Sequence, residues 1–255
     1  MAHALEPLLA SYSPGRTGFR LRLFCFPFAG AGASVFREWP SDLPPEVQVF
    51  GIQLPGRENR LDERPFTDVP SLAQAIAGGL QSYHDLPFAL FGHSIGALLA
   101  FEVARELRRL KQTGPAHLFA SGYRAPSLPF QDVPVHNLER SLLIQELRLL
   151  GGTPADLLES DAAMDALLPA IRADFELSET YRYEQQEPLQ CPITVFGGLY
   201  DRKVKNSDLP AWQKETQSPF TIRMFPGDHY FIRSCRVPLL LMIADKLGVA
   251  APKKV

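Results

Sequence analysis

The pentapeptide Gly92-His93-Ser94-Ile95-Gly96 sets one serine between two glycines. This spacing belongs to turns in which a strand passes abruptly into a helix and a nucleophilic hydroxyl is thrust outward. An apolar run from Pro87 to Phe91 precedes it, and a stretch of helical period opens at Ile95. Glycine is needed on both sides because the turn is strained and neighbouring backbones pass close together. A serine at a helix start can also act simply as a cap, but the paired glycines set this one apart. Its hydroxyl is a weak nucleophile at neutral pH, so the motif calls for a histidine base and an orienting acid, in the chain order Ser, Asp or Glu, His. Of six histidines, His3 lies in the N-terminal arm, His84 and His117 lie at the amino-terminal side of strand-like runs, and His136 falls in a helical insertion. His93 is inside the motif and directed away from Ser94. His229 remains, in Gly227-Asp228-His229 after the run Phe220 to Phe225. The acid is Asp201, five residues after the run Pro192 to Phe196. Asp208 reads as a cap or surface residue of the next helix, and Asp228 adjoins His229 too closely to face it on a loop.

Acyl transfer through such a serine also needs two preorganised N–H donors for the tetrahedral oxyanion. One is the amide of Ile95, directly after the nucleophile. The other is expected from Phe26-Pro27-Phe28-Ala29-Gly30-Ala31-Gly32, with Ala29 the first choice and Phe28 the second. A glycine-rich turn can also cradle phosphate, yet this one has neither the Lys-Ser/Thr of a P-loop nor a GxGxxG spacing.

These residues need a rigid frame, and the apolar pattern supplies one. Runs of strand type span Arg20 to Phe26, Val47 to Gln53, Pro87 to Phe91, Ala116 to Ser121, Pro192 to Phe196 and Phe220 to Phe225. Most are apolar at nearly every position, as in parallel strands covered on both faces. Helical patterns alternate with them: Ser71 to Tyr83 aligns Leu72, Ile76 and Leu80, and Ile95 to Leu110 aligns Leu99, Val103 and Leu107. The alternation predicts an α/β fold with a mostly parallel central sheet flanked by helices, and puts the chemistry at the carboxyl ends of the strands. One connection is too long for a single crossover: roughly 70 residues separate Ser121 from Pro192. They carry a helical pattern from Asn137 to Leu150, a stop at Gly151-Gly152, and a second segment from Thr153-Pro154 toward Tyr183. Residues 123–190 are read as a helical lid inserted over the sheet.

With 255 residues, 45% of them hydrophobic, and a net charge of −2, the chain has enough apolar surface for one domain spanning 1–255, and disorder is excluded. The balance gives no electrostatic reason for a nucleic-acid partner; the run Arg105, Arg108, Arg109, Lys111 reads as the solvated end of a helix. The longest apolar stretch, Val237 to Ala244, is far short of the roughly 20 residues that span a bilayer. No signal peptide is apparent, so a cytoplasmic protein is expected. Three cysteines without CxxC spacing indicate neither a disulfide framework nor a zinc site and read as buried apolar residues. No metal or organic cofactor is expected, and a monomer is the default.

The ordered set of motifs resembles the type II, editing thioesterases of polyketide and nonribosomal peptide synthesis, relatives of the medium-chain acyl thioesterase of animal fatty acid synthase. The resemblance runs from about Arg20 to about Leu247. It is carried by Phe26-Pro27-Phe28-Ala29-Gly30, Gln53-Leu54-Pro55-Gly56-Arg57-Glu58, Gly92 to Ala97, Gly151-Gly152-Thr153-Pro154, Asp174 to Tyr183 ahead of Cys191-Pro192, Gly197-Gly198 with Asp201, and Gly227 to Phe231. It implies an α/β-hydrolase fold, with Ser94 as nucleophile, Asp201 and His229 as partners, and the amides of Ala29 and Ile95 as the oxyanion hole. It implies substrates held as acyl or aminoacyl thioesters on the phosphopantetheine arm of acyl or peptidyl carrier proteins. Phe28, Ala31 and Ile95 depart from residues frequent in the family, which leaves the backbone donors intact but reshapes the pocket. Phe28, Leu142, Leu147, Leu168 and Phe175 are expected to form the acyl chamber. Arg202, Lys203 and Lys205 would steer an acidic carrier to its mouth. Two rival readings are a general carboxylesterase or lipase-like hydrolase acting on small oxygen esters, and a non-catalytic binding protein that keeps the fold.

Overall fold

A computed structural model of the chain describes residues 8–13 and 15–249; His3 and the outer ends of the 1–255 domain lie outside them. Among the described residues seven strands build one sheet: β1 (Leu9–Ser11), β2 (Leu21–Phe26), β3 (Val47–Ile52), β4 (Phe88–His93), β5 (His117–Ser121), β6 (Ile193–Gly198) and β7 (Phe220–Phe225). Their order is β1-β3-β2-β4-β5-β6-β7. Every neighbouring pair is parallel except β1 with β3. The six apolar runs are the six parallel strands. The sequence pattern did not reveal β1, because three residues are too few to display alternation; it is recruited by the exposed edge of β3, whose free N–H and C=O groups it satisfies.

The helices are α1 (Trp39–Asp42), α2 (Val69–Leu80), α3 (Ile95–Arg109), α4 (Arg140–Leu150), α5 (Ala155–Leu158), α6 (Asp161–Thr180), α7 (Phe231–Ser234) and α8 (Arg236–Lys246). Successive strand residues point to opposite faces, and the two cores divide accordingly. Phe24, Phe26, Leu90, Leu118 and Val195 pack with Ile76, Leu80, Leu99 and Val103 of α2 and α3. Leu23, Cys25, Phe91, Phe119 and Phe196 pack on the other side with Trp39, Leu239, Leu240 and Ile243 of α1 and α8. With helices on both faces, every residue of β4 is buried, which explains why its run lacks polar alternation. Cys25, Cys191 and Cys235 are buried free thiols.

The insertion between β5 and β6 holds α4, α5 and α6 around a small core of Leu143, Leu147, Leu158, Met164, Leu168 and Ile171. The single helical segment expected from Thr153-Pro154 toward Tyr183 is two helices. Pro154 is itself the extended residue before α5, which ends after one turn. Ser160 then caps α6, accepting the Ala163 N–H at 3.2 Å, and a capped start of this kind competes well with helix continuation. The reading of the run from Arg105 to Lys111 as a solvated helix end holds for Arg109 and Lys111, which are exposed, and needs correction for Arg105 and Arg108. Arg105 is buried, paired with Glu102 at 2.7 Å and stacked over Phe101 and Tyr183. Arg108 donates to the Glu187 and Pro188 carbonyls at 2.5 and 3.2 Å. Both guanidiniums fasten the segment returning from the insertion, about 79 residues away in sequence, a contact that no local pattern discloses.

His117, in β5, stacks on Phe119 with ring centroids 4.2 Å apart and bonds Thr194 Oγ1 at 2.9 Å. Burial, assisted by the charge of Lys246, lowers its pKa to about 4. A histidine held neutral in the fold binds its proton more readily once unfolded, so this contribution to stability is complete above an unfolded pKa near 6.5 and is lost as pH falls toward 4. Thermal unfolding at pH 5 is expected several degrees below that at pH 7, with a smaller difference for His117→Gln. A pH-independent difference between the two proteins would contradict this account.

Candidate active site

The turn from β4 into α3 is one residue long. Ser94 occupies φ 56° and ψ −128°, a conformation costly for a non-glycine residue. The flanking glycines make the turn possible: a Cβ on Gly92 would stand 2.0 Å from the Gly96 carbonyl oxygen, and one on Gly96 would stand 2.3 Å from that of Phe26. The Ser94 N–H donates to the Ser121 carbonyl at 2.8 Å, tying the strained residue to the end of β5.

His229 Nδ1 lies 2.8 Å from Asp201 Oδ2. The Asp201 side chain is 1% exposed, and its Oδ1 accepts the N–H groups of Lys203 and Val204 at 2.8 and 3.1 Å. A carboxylate satisfied in this way has one free direction, and it points to the imidazole. Asp201 stands three residues past β6, since that strand runs on to Gly198. A Cβ on Gly198 would meet the Asp228 carbonyl oxygen at 2.4 Å, so the loops bearing Asp201 and His229 close directly on each other. Asp228 turns outward, its carboxylate accepting the Tyr230 N–H at 2.8 Å. Asp208 opens the 3-10 turn Asn206–Glu215. His136 is engaged by Glu179, and His84 stacks on Phe88.

Ile95 N–H is the first amide of α3, at the positive end of that helix. Ala29 lies in the loop after β2, ahead of Gly30 at φ 75°. Among the described residues neither amide donates to a protein acceptor. The loop is gripped at the two residues that follow Ala29. Asp174 of α6 accepts the Gly30 N–H at 2.8 Å, and Arg57 donates to the Ala31 carbonyl at 3.2 Å. Arg57 and Asp174 form a bidentate pair at 2.5 and 2.8 Å, each side chain 2% exposed.

Ser94, Ala29 and His229 line one cavity of about 210 Å³. Leu147 and Phe175 form part of its wall. Leu168 lies in the insertion's own core. Phe28 is buried, edge-on to Tyr230 and under the Arg233 guanidinium, and lines no part of this cavity. Leu142 is 46% exposed on a neighbouring shallow groove with Val133 and Leu138. Sequence reasoning missed Tyr123 and Ser178, whose hydroxyls meet at 3.0 Å in the wall, and the strap from Leu128 to Val135. The available signal was position: Tyr123 follows the carboxyl end of β5, where a parallel sheet places its ligands. Lys203 and Lys205 stand exposed at the rim, with Arg202 exposed beside them. Among the described residues no cluster of His, Cys, Asp and Glu is arranged to hold a metal, and no helix is long and apolar enough to cross a membrane.

A family model described as "thioesterase domain" matches residues 21–247. The chain is 44% identical over 235 residues to the gramicidin S biosynthesis protein GrsT of Aneurinibacillus migulanus, covering 92% of each. Among solved structures it resembles the RedJ thioesterase from the prodiginine pathway of Streptomyces coelicolor, at 41% identity and a TM-score of 0.84, with 89% of this chain and 91% of that one covered. It also resembles YbtT, a type II thioesterase from the yersiniabactin NRPS/PKS pathway, at 29% identity and a TM-score of 0.85, with 94% and 98% covered.

Proposed function

This chain belongs to the thioesterase family, as its match over 21–247 establishes, and from that premise we propose that it hydrolyses acyl or aminoacyl thioesters on the phosphopantetheine arm of acyl or peptidyl carrier proteins, clearing a polyketide or nonribosomal peptide synthase. The observation that carries the chemistry is that His229, paired with Asp201, opens on the same cavity as the strained Ser94. In the proposed cycle His229 Nε2 takes the Ser94 proton as Oγ attacks the thioester carbonyl. The oxyanion is held by the amides of Ala29 and Ile95, and Asp201 stabilises the imidazolium. The C–S bond breaks, the thiolate receives the proton from His229, and the acyl group stays on Ser94. A water deprotonated by the same imidazole then cleaves the acyl-enzyme.

Residues 123–190 are proposed as the lid, because α4, α6 and the strap supply Leu147, Phe175 and Val135 to the cavity wall. The working unit is proposed to be a monomer, since one chain carries nucleophile, base, acid and both amides; sedimentation as a dimer would contradict it. Free thiols at all three cysteines support a reducing, cytoplasmic setting.

Carrier docking is assigned to the exposed cations Arg202, Lys203 and Lys205. Reversing all three charges to Glu is expected to lower turnover of carrier-bound thioesters about 10-fold while leaving small thioesters within about twofold. Equal loss on both would remove the steering role. The function itself is tested by mass-spectrometric deacylation of a panel of acyl-phosphopantetheinyl carriers, with acyl-CoA and matched oxygen esters alongside. Fast release from carriers supports an editing thioesterase; cleavage of oxygen esters alone supports the esterase reading.

A further inference from the structure

His93 immediately precedes the nucleophile, and its fully buried ring fills the space between the elbow and the loop that carries His229. The two imidazole centroids are 5.2 Å apart. Around His93 stand Phe28 and Phe231, their rings nearly perpendicular to it with centroids at 5.9 and 5.6 Å. Its Nδ1 lies 2.9 Å from Ser121 Oγ at the end of β5, whereas Nε2 is buried without a hydrogen-bond partner. The backbone makes room for both rings at Gly122, where a Cβ would stand 2.7 Å from His93 Cε1 and 3.5 Å from His229 Cε1. A phenylalanine would fill an aromatic box with no buried nitrogen left unpaired, which is the cheaper way to pack such a site. An imidazole kept there at that cost has a use that packing does not account for.

We propose that His93 is a positioning residue: its ring, tethered to Ser121, is the seat on which the imidazole of His229 is held so that Nε2 of His229 faces Ser94 Oγ. The proposal rests on the roles given above to Ser94 and His229. The tether matters because it fixes the rotation of the seat; an untethered ring turns about its χ2 bond and presents a varying edge to His229. The seat must also stay uncharged, because a cation at this distance would oppose proton uptake by His229 during attack. Burial, and after it the charge that His229 acquires, keeps the His93 pKa well below the ordinary histidine value, so the ring remains neutral while its neighbour cycles. The other groups bearing on the pair are the His229 backbone, which favours a proton on His93 but is outweighed by burial, Asp201, bonded to His229, and Arg233, whose charge also disfavours protonation of His93.

The test compares wild type, His93→Phe, His93→Asn and Ser121→Ala. Asparagine can place its amide near the position of Nδ1 and keep the Ser121 bond. Two readouts are taken: the rate of covalent labelling of Ser94 by a fluorophosphonate, and kcat with KM on a small acyl thioester. His93→Phe and Ser121→Ala are expected to slow labelling and lower kcat by roughly 10- to 100-fold, the range for a misplaced reacting group, with KM within about twofold and with His93→Asn recovering most of the loss. Wild-type labelling and kcat in His93→Phe would overturn the proposal, as would an Asn variant no better than the Phe variant. Should His93→Phe fail to fold, Ser121→Ala decides alone, since it removes only the tether. Absence of labelling in wild type would instead overturn the assignment of Ser94, and the proposal with it.

Discussion

Replacing Ser94 with alanine is expected to reduce single-turnover release of acyl groups on the order of 10⁵-fold, as removal of the nucleophile does in enzymes that work through an acyl-serine intermediate. The residual rate would reflect substrate orientation and the two amide donors. The variant should fold as wild type does, because alanine at φ 56° carries the same Cβ and hence the same strain as serine. Thermal unfolding therefore separates chemistry from folding. Ser94→Gly extends the comparison: it is equally inactive, but it relieves the strained φ and is expected to gain about 0.5–1 kcal/mol of stability. Turnover of Ser94→Ala near the wild-type rate would remove the serine mechanism, and an unchanged Ser94→Gly midpoint would remove the claim that the elbow stores strain.

The second large effect is on stability. Asp174→Ala leaves the Arg57 guanidinium charged, 2% exposed and without its carboxylate, and strips the Gly30 N–H of its acceptor. Breaking one side of a buried ion pair in this way costs about 3–5 kcal/mol. Urea denaturation monitored by fluorescence should show the midpoint moving down with little change in slope. The double replacement of Arg57 and Asp174 by leucine is expected to recover much of the loss, because no charge is then stranded. If Asp174→Ala unfolds within about 1 kcal/mol of wild type, the pair does not hold α6 and the Ala29 loop together as described.

The features legible in the chain before any coordinates share one property: they are local. Five of the parallel strands, β2 to β6, appear as short, nearly unbroken apolar runs because both faces of each are covered, while the edge strand β7 is only partly buried and carries Thr221 and Arg223. The turn at Ser94 is visible because only glycine tolerates the approach of the Gly96 and Phe26 carbonyls at Gly92 and Gly96. His229 and Asp201 could be chosen from chain order and position after a strand, since a parallel sheet presents its carboxyl ends to ligand regardless of side-chain detail. β1 escaped because three residues carry no period, and the split between α5 and α6 escaped because Ser160 caps a helix where continuous apolar spacing suggested one segment.

The amino-acid order alone thus determined the layered α/β frame and the elbow, and it placed Ser94, Asp201 and His229 each just after a strand, since each of these is written in spacings of a few residues and in the stereochemistry of glycine. Only the tertiary structure decided how the insertion meets that frame. Arg57 finds Asp174 across 117 positions, Arg108 reaches the returning segment across 79, and Phe28, Leu142 and Leu168 are distributed among packed core and outer groove while Tyr123 and Ser178 take places in the cavity wall. The reason is physical: burial and pairing of these side chains depend on which surfaces are brought together by the whole fold, and no periodicity within one segment encodes its partner in another.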